Sequence, residues 1–140
     1  MLRILDIDHV VIRAIDPDRL ERFYCDVLGC TVDHRQDALG LVHLRAGRAL
    51  IDIIGIDGPL GRKGGAAPRR DGHNVDHVCL RIEPFDADAI RAHLEAHGVS
   101  VEDSGLRYGA EGTGFSLYVS DPEGNVVELK GPSEPAGAST

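Results

Sequence analysis

Apolar residues recur at helical spacing in two stretches of the chain, and Gly and Pro mark where each stretch begins and ends. In the first stretch Asp16 suits the N-cap, Pro17 the first helical position and Gly29 the position after the last turn. The second stretch runs between Asp86 and Gly98. The i, i+3, i+4 spacing places the apolar side chains of each stretch on one helix face. These side chains are Leu20, Phe23, Tyr24, Val27 and Leu28 in the first stretch, and Ala87, Ile90 and Leu94 in the second.

Alternating apolar and polar residues predict the strands, and they occur in the same order in both halves of the chain. Residues 8–13 read Asp-His-Val-Val-Ile-Arg, and residues 76–81 read Asp-His-Val-Cys-Leu-Arg. A helix and a short β-branched piece follow each copy, and two further strands follow those. The order β-α-β-β-β therefore occurs twice. The later strand segments are 30–32, 41–44 and 49–54 in the first half, and 99–101, 115–120 and 126–130 in the second.

The repeat gives a single domain over residues 1–131, with module one at 6–54 and module two at 75–131. The spacer at 55–74 is rich in Gly and carries four basic residues, so we expect a solvated linker, with contact to an anionic substrate as the alternative. The small, polar residues 132–140 predict a disordered tail.

Composition narrows the class of partner. The net charge of −8 argues against nucleic acid and against an anionic membrane surface, and no apolar run is long enough to cross a bilayer. The three cysteines, Cys25, Cys30 and Cys79, are an odd number without CxxC spacing, so we expect reduced thiols and a cytoplasmic protein.

Strand parity brings chemistry to one face of each module. Because side chains alternate between the faces of a strand, His9 and Asp52 should share the face opposite the aliphatic core residues, and so should His77 and Glu128. Each module thus offers one imidazole and one carboxylate. If the modules face each other, the four side chains converge, and such a donor set suits one divalent ion per site: Fe, Mn, Ni, Co or Zn. Asp52 is the weakest of the four because its side chain is one methylene shorter than that of Glu.

The sequence resembles the vicinal oxygen chelate superfamily, which includes glyoxalase I, bleomycin-resistance proteins and extradiol dioxygenases. The resemblance rests on residues 8–32, 74–82 and 115–132, above all on the Asp-Pro-x-Gly turn at 121–124 before a strand ending in Val-Glu-Leu. It implies an α+β fold of paired βαβββ modules enclosing a metal site. It also implies that His9, His77 and Glu128 are ligands, with Asp52 where the glyoxalase branch has Glu.

Further residues are candidates for substrate contacts. Ser116 and Tyr118 fall where the fosfomycin-resistance branch has Ser and Tyr, and Tyr118 could donate a hydrogen bond to a developing oxyanion. Arg13 and Arg81 could bind a substrate carboxylate or phosphate, or pair with an acid at the sheet rim. The loop at 107–112 resembles that of small, uncharacterised glyoxalase-domain proteins.

We therefore expect a metal-dependent, glyoxalase-like lyase or isomerase that acts on a small molecule, with Asp52 or Glu128 moving the proton. A homodimer is expected, because many relatives pair the modules of two chains. Two alternatives stay open. One is an extradiol-type Fe(II) dioxygenase that uses only His9, His77 and Glu128 as ligands. The other is a metal-free protein that binds an antibiotic.

Overall fold

The computed structural model describes residues 1–135 and divides the chain into two compact units, Met1–Asn74 and the segment from Val75 onward. The division falls at the boundary predicted between spacer and module two. Most of the predicted tail, 132–140, lies outside the described residues, although the Glu134 amide donates to the Thr113 carbonyl.

The first unit is a four-stranded sheet with one helix, in strand order β1-β4-β3-β2. Strands β1 and β4 are parallel, and the other neighbours are antiparallel. The α-helix is followed directly by a π-helical turn, Phe23–Val27. The elements are β1 (His9–Ala14), α1 (Pro17–Arg22), β2 (Thr31–Gln36), β3 (Leu41–Ala46) and β4 (Ala49–Gly55).

The second unit has the same connectivity, with strand order β5-β8-β7-β6. Strands β5 and β8 are parallel, and the others are antiparallel. The order β-α-β-β-β in each unit confirms the predicted paired-module fold. The elements are β5 (Val78–Arg81), α2 (Ala87–Ala96), β6 (Asp103–Gly109), β7 (Gly112–Ser120) and β8 (Val126–Lys130).

Both helical segments begin and end where their cap residues predict, although the last part of the first segment, Phe23–Val27, is π-helical rather than α-helical. The Asp16 side chain accepts a hydrogen bond from the Arg19 amide, and that of Asp86 accepts one from the Ala89 amide. Gly29 and Gly98, with φ of +84° and +72°, adopt the left-handed conformation that ends each helix. The buried helix residues Leu20 and Leu94, 0% and 1% exposed, belong to the predicted apolar faces.

Two strand predictions in the second unit are wrong. Residues 99–101 are not a strand; β6 begins at Asp103. The segment 107–112, described as a loop, contains the end of β6 and the start of β7, with Gly109 paired to Gly112. Because β6 is an edge strand that pairs only with β7 and is rich in Gly and polar residues, it lacks the apolar alternation by which strands are recognised.

The spacer contains local structure that its composition does not reveal. It has a short 3₁₀ turn, Gly61–Gly64, and the Arg13 guanidinium donates hydrogen bonds to the carbonyl oxygens of Gly61, Gly65 and Ala66. A side chain at position 64 would collide with Arg13, so glycine allows this close approach. The spacer is therefore held to β1. No helix in residues 1–135 is both long and apolar enough to span a membrane.

Candidate functional site

In the first unit, neighbouring strands bring His9 and Asp52 together. Residues of β1 and β4 pair in parallel with Val11 opposite Asp52. The Nε2 atom of His9 lies 3.9 Å from Oδ2 of Asp52, whose side chain is only 4% exposed. The other ring nitrogen of His9, Nδ1, lies 2.6 Å from Asp8, and this contact raises the pKa of His9, with the charge of Asp52 adding to the effect. The predicted pairing of His9 with Asp52 is thus present in this unit.

A second histidine, His43, also contacts Asp52, and the sequence reasoning missed it. His43 lies on β3 directly opposite Asp52 in the antiparallel register. Its Nδ1 atom is 2.9 Å from Oδ1 of Asp52, and its Nε2 atom is 3.0 Å from Nε2 of Gln36. The strand predicted at 41–44 already placed His43 between the core residues Val42 and Leu44, so parity alone could have found it.

In the second unit, His77 and Glu128 form the corresponding pair. Nε2 of His77 lies 3.2 Å from Oε1 of Glu128, whose side chain is 7% exposed. Nδ1 of His77 lies 2.7 Å from Asp76, just as Nδ1 of His9 contacts Asp8. Each unit therefore presents an Asp-His dipeptide where its first strand begins and a buried carboxylate on its last strand. His9 is the first residue of β1, and His77 stands one residue before β5.

Hydrogen-bond donors surround Glu128. The hydroxyl of the fully buried Ser116 donates to Oε2 at 2.6 Å, and Tyr118 lies directly opposite Glu128 on β7. Burial raises the pKa of Glu128, but hydrogen bonds from Ser116 and Tyr118, the nearby His77 and a hydrogen bond from Cys79 outweigh it, and the pKa is lowered overall. Glu128 is thus held as a carboxylate, and Ser116 is the donor that orients it.

Tyr118 lies beside both members of this pair. Its ring contacts the His77 ring edge-on, with centroids 6.0 Å apart, and the Arg107 guanidinium carbon is 5.4 Å from the Tyr118 ring centroid. Burial, followed by the hydrogen bond to Glu128, raises the pKa of Tyr118, so it keeps its proton at neutral pH. A neutral phenol is the form that can donate a hydrogen bond.

The two arginines named as substrate contacts have partners within their own units. Arg13 donates to the spacer carbonyls described above, and Nε of Arg81 lies 2.5 Å from Oε1 of Glu111. For Arg81, this is the pairing with an acid that the sequence offers as the alternative to substrate binding. For Arg13, the sequence does not indicate the contact with the spacer.

The donor chemistry of both pairs fits a divalent metal ion. Oδ1 of Asp52 and Nδ1 of His43 are buried and lie 2.9 Å apart, but neither has a partner aligned for a hydrogen bond in the described residues, a costly state that a cation would relieve. Residues 1–135 contain no group of three or more His, Cys, Asp or Glu side chains arranged to hold a metal ion. Each unit by itself has one His–carboxylate pair.

A separate cavity lies elsewhere in the first unit. It measures about 270 Å³, and its lining includes Pro17 of α1, Val42 of β3 and the bidentate ion pair between Glu21 and Arg35. None of the predicted site residues is among those that line it. The cavity is therefore distinct from the His–carboxylate pairs.

Comparison with known proteins identifies the family. The model of the Glyoxalase/Bleomycin resistance protein/Dioxygenase superfamily matches residues 6–129. The chain belongs to this superfamily. This confirms the family resemblance seen in the sequence. The matched segment contains module one, all but the last two residues of module two and all four candidate ligands.

Individual relatives agree with this family. Virulence protein STM3117 of Salmonella typhimurium is 30% identical over 125 residues, which cover 88% of this chain and 81% of that protein. Its crystal structure superposes with a TM-score of 0.77, and the superposition covers 94% of this chain and 99% of that chain. The uncharacterised protein YaeR of Escherichia coli is 28% identical, covering 92% and 98%. Lactoylglutathione lyase of Agrobacterium tumefaciens is 25% identical, with a TM-score of 0.65 and coverage of 90% and 92%.

Proposed function

We propose that this protein is a metal-dependent lyase or isomerase of the glyoxalase type, with His9, Asp52, His77 and Glu128 as ligands of one divalent ion. The observation that carries the proposal is the repeated pair: in each unit a histidine at the start of the first strand faces a buried carboxylate on the last strand. Two buried carboxylates are costly unless a cation compensates them. Imidazole together with carboxylate suits Fe(II), Mn(II), Ni(II), Co(II) or Zn(II).

When bound, such an ion would polarise two adjacent oxygens of a small substrate and stabilise an enolate or another oxyanion. The neighbouring side chains would orient the ligands. Asp8 and Asp76 fix the ring orientation of His9 and His77 through Nδ1, which leaves Nε2 of each ring facing its carboxylate. Ser116 holds Glu128 in the same way.

Proton transfer falls to the carboxylate that is less strongly held. Glu128 accepts the Ser116 hydroxyl at 2.6 Å, whereas no donor in the described residues is aligned for a hydrogen bond to Oδ1 of Asp52, although Nδ1 of His43 lies 2.9 Å from it. Asp52 is therefore the better candidate for the base, and Tyr118, which keeps its proton, for the hydrogen-bond donor to the oxyanion. The proposed substrate of this protein is a small molecule.

Asp52→Asn tests this assignment, because the amide keeps the shape but loses the charge and the ability to accept a proton. The parent and the variant are assayed with a thiohemiacetal, an acyl-CoA epimer, an epoxide antibiotic plus a thiol, and a catechol, each with Mn(II), Ni(II) and Fe(II). We expect lyase or isomerase turnover in the parent, and its loss in a variant whose circular dichroism is unchanged.

The same panel identifies the competing activity. A dioxygenase needs only His9, His77 and Glu128, so Asp52→Asn would leave ring cleavage largely intact. Oxygen consumption with the catechol alone, equal in parent and variant, would refute the lyase or isomerase assignment. Tight binding of an antibiotic by the metal-free parent, with no turnover of any substrate, would refute it as well.

A further inference from the structure

The two buried carboxylates differ in how they are held. Glu128 receives a hydrogen bond from the Ser116 hydroxyl at 2.6 Å, and Tyr118 lies opposite it on β7. Asp52 is similarly buried, with a side chain 4% exposed, yet no donor in the described residues is aligned for a hydrogen bond to its Oδ1 atom. The His43 imidazole lies beside this oxygen, with its Nδ1 atom 2.9 Å away.

The strand register makes His43 the counterpart of Tyr118. His43 lies opposite Asp52 in the pairing of β3 with β4, and Tyr118 lies opposite Glu128 in the pairing of β7 with β8. Because the two units have the same strand order, both side chains occupy one position of the repeat. A phenol hydroxyl and the N–H of a neutral imidazole are both hydrogen-bond donors, so the repeat places a side chain that can donate at this position in each unit.

The contacts of His43 fix which ring nitrogen carries the proton. A neutral imidazole carries its single proton on one of the two ring nitrogens, and Nδ1 of His43 lies 2.9 Å from Oδ1 of Asp52. On the other side of the ring, the Gln36 amide nitrogen lies 3.0 Å from Nε2, and an amide NH₂ group is a donor. Gln36 therefore makes Nε2 the acceptor and leaves Nδ1 as the N–H that faces Asp52.

We propose that His43 is a positioning residue for Asp52. The chain Gln36–His43–Asp52 holds Oδ1 through the Nδ1–H group and so keeps Oδ2 as the oxygen that faces Nε2 of His9, 3.9 Å away. Aspartate is shorter than glutamate, and a neighbour that fixes its carboxylate compensates for the smaller reach. The proposal rests on the proposed function, since it assumes that Asp52 is a ligand.

Two substitutions of His43 separate positioning from simple packing. In His43→Asn the amide nitrogen stands close to the place of Nδ1 and can still donate, whereas His43→Leu fills the space without a donor. Calorimetry uses whichever of Fe(II), Mn(II), Ni(II), Co(II) and Zn(II) the parent binds most tightly. We expect His43→Leu to weaken binding about 10- to 100-fold and His43→Asn to recover most of the loss.

Control variants tie the effect to Asp52. His34 stacks on His43 with ring centroids 5.8 Å apart but is exposed, so His34→Leu should leave the affinity unchanged. In an Asp52→Asn background, His43→Leu should have little further effect, because the carboxylate that it orients is gone. Equal losses in His43→Leu and His43→Asn, or a full loss from His43→Leu in the Asp52→Asn background, would overturn the proposal.

A measurement without metal distinguishes failure of this proposal from failure of the metal site. The ¹⁵N shifts of the His43 ring in the metal-free protein should show Nδ1 protonated and Nε2 as the acceptor. A ring protonated only on Nε2 would overturn the positioning role whatever the metal results are. If the parent binds none of the five ions, the proposed function is wrong, and Asp52 is not a metal ligand. This conclusion holds even if the His43 ring is protonated on Nδ1 as expected.

Discussion

Replacing Ser116 with alanine should weaken the second unit through a single hydrogen bond. The Ser116 hydroxyl is fully buried and donates to Oε2 of Glu128 at 2.6 Å, so the bond has a charged acceptor and is buried. Such bonds contribute about 1.5–3 kcal/mol, whereas neutral ones contribute about 0.5–1.5 kcal/mol. Alanine removes only the oxygen, and Tyr118 and His77 still contact the carboxylate. We therefore expect a loss of about 1.5–2 kcal/mol in the free energy of unfolding, at the lower end of that range.

Urea unfolding of the metal-free protein at pH 7 measures this loss, and Ser120→Ala is the matched control. Ser120 is on the same strand and also donates to a carboxylate, Oε2 of Glu102 at 3.0 Å, but that pair is exposed to solvent. The control should lose less than about 0.5 kcal/mol. Because the Ser116 bond also lowers the pKa of Glu128, the Ser116→Ala deficit should shrink as the pH falls through the folded-state pKa of Glu128. Equal losses in the two variants at pH 7 would refute the view that Ser116 holds a buried carboxylate.

Three further predictions concern the spacer, the thiols and the assembly. Arg13→Met should make the spacer at 55–74 more susceptible to trypsin, because the hydrogen bonds to three spacer carbonyl groups are lost. The control Arg81→Met should leave the digestion of the spacer unchanged. Unchanged digestion in Arg13→Met would contradict the role of Arg13. Burial, together with Cys25, raises the pKa of Cys30 to about 11, so roughly one thiol in a thousand is ionised at pH 8. Iodoacetamide should therefore label Cys30 slowly until urea unfolds the chain, and rapid labelling of the folded protein would contradict this. Light scattering at micromolar concentration should give the mass of two chains, and the mass of one chain would refute the predicted homodimer.

The His–carboxylate pairs could be predicted because their strands alternate cleanly. Val10 and Ile12 point to the core face of their strand, which leaves His9 on the opposite face. In the same way Ile51 and Ile53, 4% and 0% exposed, leave Asp52 on the face opposite the core. A period of two is a strong local signal, and the repeat of the same pattern in the second half adds an independent observation.

Other features depend on contacts that no local pattern encodes. Strand β6 forms because β7 offers a partner along its whole length, although its own residues are polar and rich in Gly. The spacer takes its path from the hydrogen bonds of Arg13, a residue about 50 positions away. Strand parity places His43 on the same face as Asp52, but only the register of β3 against β4 shows that the two residues are directly opposite each other.

The metal content of two histidine variants tests the central claim most directly. The parent, His9→Ala, His77→Ala and the control His97→Ala are dialysed against each of the five divalent ions and measured by elemental analysis. His97 is exposed at the end of α2 and belongs to neither pair. We predict about one ion per chain in the parent and in His97→Ala, and a large loss in both His9→Ala and His77→Ala, since each removes one of four ligands. Metal content equal to that of the parent in either His9→Ala or His77→Ala would contradict the proposal.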